Sequence, residues 1–90
     1  MQLQEFTRQL ASDAYSDVLT KEMPAGPEVA AHSHPFDVMA LVLEGEITLG
    51  VAGTRTIYRA GDVFTMAAGC EHTELCGDGG VRYLVGRRHG

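Results

Sequence analysis

Basic residues are scarce in this sequence. Seven lysines and arginines stand against twelve aspartates and glutamates, which gives a formal net charge of −5 at pH 7 over 90 residues. A surface that follows the phosphates of a nucleic acid needs an excess of positive charge. We therefore expect no nucleic-acid partner.

Long apolar runs are also missing. No stretch approaches the ~20 apolar residues that cross a bilayer. The first segment, MQLQEFTRQLAS, has no basic region followed by an apolar one, as a signal peptide would. We expect no membrane partner and a cytoplasmic location.

Cysteine is rare as well. The two cysteines, Cys70 and Cys76, are too few for a disulfide framework. This favours free thiols in a reducing compartment, although a bridge between them stays open.

Proline is rare while glycine is common, with three prolines and 11 glycines. This composition suits short strands joined by tight turns. The length allows one domain. We predict a single domain over residues 1–90, with a helix and lead-in over 1–15, strands over 18–86 and a solvated tail over 87–90.

The N-terminal segment predicts a short helix. Between Gln4 and Ala11, Phe6 and Leu10 are four positions apart and therefore lie on one helical face. Such a helix can lie across an apolar face of a sheet.

The most apolar run, Asp37 to Leu43, predicts a strand buried on both faces. Val38, Ala40 and Val42 are expected to point inward. The opposite face, formed by Met39, Leu41 and Leu43, then needs cover from the N-terminal helix or from a second copy of the chain. The second alternative predicts a homodimer.

Other short segments alternate or lie between turn residues and also predict strands. A flexible loop is expected from Cys76 to Gly80, and no long helix is indicated. Many short strands with frequent turns predict an all-β fold, a small antiparallel barrel or jelly roll. The predicted strands are Val18–Met23, Glu28–His34, Ile47–Val51, Arg55–Arg59, Val63–Met66, His72–Cys76 and Val81–Val85.

Three histidines suggest a metal site. His32 and His34 are two positions apart, so on an extended strand their side chains share one face, ~6.6 Å apart along the chain. His72 lies in a second segment bounded by glycines. Imidazoles placed in this way can converge on one ion. The alternative is that all three are packed in a barrel that binds no metal.

The first of these segments resembles the first motif of the cupin family, G(X)5HXH(X)3,4E(X)6G. Gly26, His32, His34 and Gly45 fall on that spacing. Val38 stands where the family has its glutamate.

The second segment resembles the second cupin motif, G(X)5PXG(X)2H(X)3N. Gly61, Gly69 and His72 match, while Ala67 replaces the usual proline and Cys76 the usual asparagine. The chain therefore looks like a small single-domain cupin, which implies a jelly-roll barrel with a short N-terminal helix. The family includes dioxygenases, isomerases, lyases, storage proteins and sensory domains, so the fold does not fix the function.

In metal-binding cupins the two motif-one histidines, the glutamate and the motif-two histidine hold the ion. Carried over to this chain, the resemblance implies the ligands His32, His34 and His72 without the carboxylate. The ion would then stay more electrophilic and keep open positions. Three-histidine cupins include dioxygenases, which points to iron, although zinc, nickel, manganese or copper also accept imidazole.

Two carboxylates lie near the expected ligands. Glu74 shares the strand face of His72 and is a candidate proton-transfer residue; alternatively, it is a rim carboxylate paired with an arginine such as Arg82. Asp37 adjoins the vacated position, where it either ligates through a bulge or orients an imidazole. Cys76, on the same face as Glu74, is expected to fill apolar space.

Two functional hypotheses result. The first is a metal-dependent enzyme acting on a small molecule, with dioxygenase chemistry as the first choice and isomerase or lyase chemistry behind it. The second is a barrel that binds or senses a small molecule without catalysis.

Overall fold

A short helix precedes six strands in the computed structural model, which describes residues 1–89. The strands are antiparallel, as the sequence predicts, and they belong to one sheet. In chain order the elements are α1 (Leu3–Ser12), β1 (Ser16–Met23), β2 (Val29–His32), β3 (Asp37–Val51), β4 (Thr54–Arg59), β5 (Val63–Met66) and β6 (His72–Arg88).

Two long strands organise the sheet. β3 and β6 are 15 and 17 residues long and pair with each other from Asp37 opposite Arg88 to Gly50 opposite Thr73. β1 and β2 add to the other edge of β6, while β4 and β5 add to the other edge of β3. Each long strand therefore holds both halves of the sheet together.

The two long strands bend together near Gly45 and Gly80. Both glycines have positive φ, 76° and 77°, a region that residues with a Cβ rarely adopt. A Cβ on Gly45 would also collide with the carbonyl oxygen of Gly80. The register of the β3–β6 pair shifts at this point, between Gly45 and Ile47, which bends the sheet as a bulge does.

The bend corrects two predictions. The chain does not break into separate strands at Gly45, because β3 continues through it. The expected loop from Cys76 to Gly80 lies within β6, where the irregular pairing accommodates the extra residues.

The concave face of the bent sheet holds the main core. Val38, Ala40 and Val42 point into it, which confirms the predicted phase of this strand. Phe64 and Tyr83 pack against them at 4% and 5% exposure. The other buried members are Ile47, Leu49, Val81 and Val85.

α1 covers the opposite face of β3. Phe6 and Leu10 are 0% and 2% exposed and pack on Met39 and Leu41, with Leu43 partly buried beside them. The helix therefore provides the cover that this apolar set needs. A homodimer stays a prediction, but this set no longer supports it.

Arg87 and Arg88 belong to β6 and not to the predicted solvated tail. β6 extends to Arg88, whose guanidinium pairs with Asp37 at 3.0 Å and donates to the carbonyl of Asp13. His89 lies 3.2 Å from a carboxylate oxygen of Asp17. Gly90 lies outside the described residues. Among the described residues, no helix has both the length and the apolar character to cross a membrane.

Candidate metal centre

The sheet register brings the three predicted histidines together. His32 ends β2 and His72 begins β6, and the two residues are direct partners in the antiparallel ladder. His34 follows β2 by two positions. Residues that are 40 positions apart in the sequence, His32 and His72, thus become neighbours because β2 pairs with β6.

The imidazole rings surround one point. Their centroids are 4.4 Å apart for His32 and His72, 5.0 Å for His32 and His34, and 5.4 Å for His34 and His72. One nitrogen from each ring lies within 4.8 Å of the others. Tetrahedral ligands that are each ~2.1 Å from one zinc ion lie ~3.4 Å apart. The three nitrogens would therefore have to draw closer together to bind an ion, and three imidazole donors gathered in this way suit a single transition metal ion.

Backbone carbonyls orient two of the rings. Nδ1 of His32 is 2.9 Å from the carbonyl oxygen of Ala30, and Nδ1 of His72 is 3.0 Å from that of Cys70. A carbonyl oxygen only accepts, so each Nδ1 carries the proton. The Nε2 atoms of both rings are left to face the common point, as metal-binding histidines require.

His72 is the most informative of the three. The residue is 2% exposed, and its Nε2 is buried without a hydrogen-bond partner in residues 1–89. A buried polar atom left without a partner costs about 1–3 kcal/mol. A metal ion bound to this nitrogen would remove that cost.

Glu74 brings a carboxylate next to two of the three rings. Its Oε2 is 2.9 Å from Nε2 of His32 and 3.6 Å from Nε2 of His72. A carboxylate facing the lone pair of a neutral imidazole is repelled by it, so a cation, either a proton or a metal ion, must lie between them. The alternative pairing of Glu74 with Arg82 is wrong, because Arg82 pairs with Glu44.

His34 is the third ring of the cluster. Burial, followed by the charges of His32 and His72, lowers the pKa of its imidazole below the usual 6.5. The charge of Glu74 acts in the opposite direction, and the charge of Lys21 lowers the pKa further. His34 is therefore neutral at pH 7 and able to donate a lone pair to a metal ion.

Asp37 does not join the cluster. Its Oδ1 accepts a hydrogen bond from the backbone N–H of Ala68, and its Oδ2 accepts one from Arg88. The first of these bonds is the main reason that the pKa of Asp37 is lowered. The hypothesis that Asp37 replaces the missing motif-one glutamate, or orients an imidazole, is wrong; Asp37 ties the β5–β6 connection to β6.

The cysteines are free thiols. Cys76 packs against the main core, as predicted, and burial raises the pKa of its thiol. The neutral form is therefore favoured, which fits a packing role.

A cavity of about 110 Å³ adjoins the histidines. Tyr83 lines it, and burial raises the pKa of this phenol to about 12, so Tyr83 stays neutral at pH 7. Two basic side chains, Lys21 and Arg87, also line the cavity and were not among the predicted site residues. Only the strand register could have revealed them. The remaining lining comes from the three histidines, Glu74 and apolar residues (Met23, Phe36, Val38, Phe64, Met66 and Val85).

Comparison with known families agrees with this architecture. The profile of the cupin domain matches residues 19–85. This match extends over most of the chain and includes all three clustered histidines. The chain belongs to the cupin family, as its two motifs predict. No curated protein matches it in sequence.

Solved structures show the same fold. An RmlC-like cupin from Shewanella frigidimarina superposes with a TM-score of 0.68 at 23% identity, covering 81% of this chain and 65% of that protein. A protein of unknown function from Rhizobium leguminosarum gives a TM-score of 0.75 at 16% identity, covering 81% and 69%. The DMSP lyase DddQ from Ruegeria pomeroyi gives 0.70 at 26% identity, covering 79% of this chain and 36% of that protein.

Proposed function

We propose that this cupin is a metal-dependent enzyme that acts on a small molecule. His32, His34 and His72 would hold one divalent transition metal ion, with iron, zinc, nickel and manganese as candidates. The observation that carries the proposal is the buried Nε2 of His72, which faces the other two rings without a hydrogen-bond partner in the described chain. A barrel that packed its histidines for stability alone would leave this atom uncompensated.

Glu74 is assigned as the anionic fourth ligand. Its Oε2 lies next to the Nε2 atoms of His32 and His72. Both rings carry their proton on Nδ1, so each Nε2 presents a lone pair, and a cation must lie between this lone pair and the carboxylate. The carboxylate that motif one lacks at Val38 would thus come from the strand that carries His72. This assignment takes the place of the predicted proton-transfer role.

The charge of the proposed metal ligands affects which reaction the site would catalyse. Three neutral histidine ligands favour dioxygenase chemistry, whereas Glu74 adds a negative charge beside them. A bound divalent ion would act as a Lewis acid on an oxygen atom of the substrate. The chain's own residues would exclude water through Val38, Phe64 and Tyr83, all of which line the cavity at 7% exposure or less.

Relatives with the same fold lend support to an enzymatic role. The DMSP lyase DddQ, at 26% identity, is an enzyme, and the shared segment is 36% of its length. We therefore place lyase or isomerase chemistry ahead of oxidation. The free thiols at Cys70 and Cys76 support the proposed cytoplasmic location.

The decisive experiment is elemental analysis of the natively purified protein and of two variants. We expect near-stoichiometric transition metal in the wild type and its loss in His32→Ala and His72→Ala. His89→Ala is the matched control, because this fourth histidine pairs with Asp17 outside the cluster. Circular dichroism of each variant separates loss of metal from loss of fold.

Full retention of metal by both variants would remove the proposed centre. A protein that keeps its metal and binds a small molecule, but converts nothing in a broad substrate screen, would support the binding or sensing alternative instead. Oxygen consumption with thiols or diketones would restore the dioxygenase hypothesis.

A further inference from the structure

Most basic side chains of this acidic protein are neutralised by a carboxylate. Among the described residues, three basic side chains form no ion pair: Arg8, Lys21 and Arg87. Both Lys21 and Arg87 line the cavity beside the histidines. The pairs that account for the other arginines are Arg55 with Glu28, Arg59 with Glu46, Arg82 with Glu44, and Arg88 with Asp37.

The strand register explains why both cations face the cavity. Lys21 on β1 is the ladder partner of Tyr83 on β6. Side chains alternate along a strand, so Tyr83, Val85 and Arg87 share a face of β6. Tyr83 and Val85 belong to the main core, so Lys21 and Arg87 continue that inner face toward the cavity mouth.

Arg87 is held in place without a carboxylate. Its guanidinium carbon lies 4.7 Å from the centre of the Phe36 ring, a favourable cation–π distance. The Phe36 ring in turn stacks on His34, with centroids 5.1 Å apart and planes 13° from parallel. The guanidinium is therefore positioned near a proposed metal ligand while its N–H donors make no side-chain hydrogen bond within residues 1–89.

The cavity restricts the size of the ligand. Its volume of about 110 Å³ is well below the ~300–1,000 Å³ of sites for drug-sized ligands. Much of the wall is apolar, with Met23, Phe64 and Met66 among the lining residues. A ligand that fits has few heavy atoms, one anionic end and a short apolar body.

We propose that the substrate is a small organic acid whose carboxylate binds Arg87 and Lys21 at the mouth of the cavity, beside the histidine cluster. The planar fork of Arg87 matches a carboxylate in two parallel hydrogen bonds. Glu74 also lines the cavity, and its charge opposes an anion unless a cation neutralises it. That the acid is a substrate rests on the proposed function, whereas binding of its carboxylate is tested independently of that function.

The test is a titration of ¹⁵N-labelled protein, with and without Zn²⁺, followed by NMR. Propionate is the probe, propionamide is its neutral counterpart, and inorganic phosphate tests the other common anion. We expect propionate to bind, propionamide to bind at least ~10-fold more weakly, and Zn²⁺ to tighten propionate binding. Arg87→Gln should weaken propionate binding ~10- to 100-fold, since a charge-assisted hydrogen bond is lost.

Two further variants sharpen the result. Arg87→Lys keeps the charge and should restore part of the affinity, whereas Arg8→Gln on the exposed face of α1 should leave it unchanged. Equal binding of propionate and propionamide, or unchanged propionate binding by Arg87→Gln, would overturn the inference. Tighter binding of phosphate than of propionate would also overturn it. If Zn²⁺ does not bind but propionate binds through Arg87, the anion site stands and the proposed metal function fails.

Discussion

At the scale of single residues, the histidine cluster lacks the motif-one glutamate, and a carboxylate from another strand lies beside two of its rings. Val38 occupies the place of the motif-one glutamate and packs in the core. Glu74 brings a carboxylate to the rings of His32 and His72 from a different strand. In the proposed ligand role, Glu74 would supply the carboxylate that Val38 lacks, because a metal ion responds to the charge and position of its ligands and not to the strand that carries them.

The ligand role of Glu74 predicts a change in metal affinity. Glu74→Gln removes the charge at constant size, and we expect Zn²⁺ affinity to fall ~10- to 100-fold or more, the range seen when even outer partners are lost. Competition with a chromophoric chelator measures this affinity. Glu71→Gln, an exposed neighbour, is the control. Unchanged affinity combined with lost turnover would return Glu74 to a proton-transfer role.

Asp37 predicts a pH-dependent contribution to stability. Its pKa is lowered in the folded chain, first by the hydrogen bond from Ala68 and then by that from Arg88. A depressed carboxylate pKa stabilises the fold above the ordinary value of 3.8, and this contribution is lost as the pH falls through the folded pKa. Asp37→Asn should therefore lower the urea midpoint at pH 7.

The same variant provides its own control at acidic pH. The difference between Asp37→Asn and wild type should shrink as the pH falls from about 3.8 through the lowered pKa of folded Asp37, because protonation then removes the charge that the variant lacks. A difference that does not vary with pH would show that the charge of Asp37 is not what stabilises the β5–β6 connection.

At the scale of secondary structure, α1 acts as a cover for the sheet. It buries Phe6 and Leu10 against Met39 and Leu41 on the outer face of β3. Met39 and Leu41 alternate along β3 with the core-facing Val38 and Ala40, so this one strand contributes side chains to two apolar layers. Without α1 this outer face would be exposed.

Removal of one anchor of the helix predicts a large loss of stability. Phe6 is 0% exposed, and Phe6→Ala should lower the free energy of unfolding by ~3–5 kcal/mol, as is usual for a buried phenylalanine. Urea denaturation measures this loss. Gln4→Ala on the exposed side of α1 should change it by no more than ~0.5 kcal/mol. A loss below ~1 kcal/mol for Phe6→Ala would mean that the helix is not an essential cover.

At the scale of the whole molecule, the proposed metal site would couple binding of the ion to folding. The candidate ligands come from β2, from the segment after it and from β6, so an ion would tie these parts of the sheet together. A ligand that binds only the folded state stabilises it by ~2.7 kcal/mol at 100 times its Kd. In a chain of 90 residues this corresponds to a rise in Tm of ~10 °C or more.

Thermal melting with chelator and with added metal tests this coupling. We expect the gain in Tm from metal to be full above pH 7 and to shrink as the pH falls below about 6.5, where protons compete for the imidazoles. The metal-free protein should also lose stability in that range, because the lowered pKa of His34 means that the unfolded chain binds the proton more tightly. A Tm insensitive to both chelator and metal would contradict the coupling.

The sequence by itself determined the fold class, the phase of the apolar strand and the three histidines. Alternation decides which side of a strand is buried, so Val38, Ala40 and Val42 could be placed in the core from their order alone. The spacing of the two motifs was enough to identify the family and the candidate ligands.

Only the tertiary structure decided what surrounds those ligands. The partners of Glu74, the tie between Asp37 and Arg88, and the meeting of Lys21 with Arg87 at one cavity all depend on which strands pair and in what register. Pairing between distant segments is set by the packing of the whole sheet, and the bend at Gly45 and Gly80 controls where each strand runs. Local sequence patterns do not predict these long-range contacts.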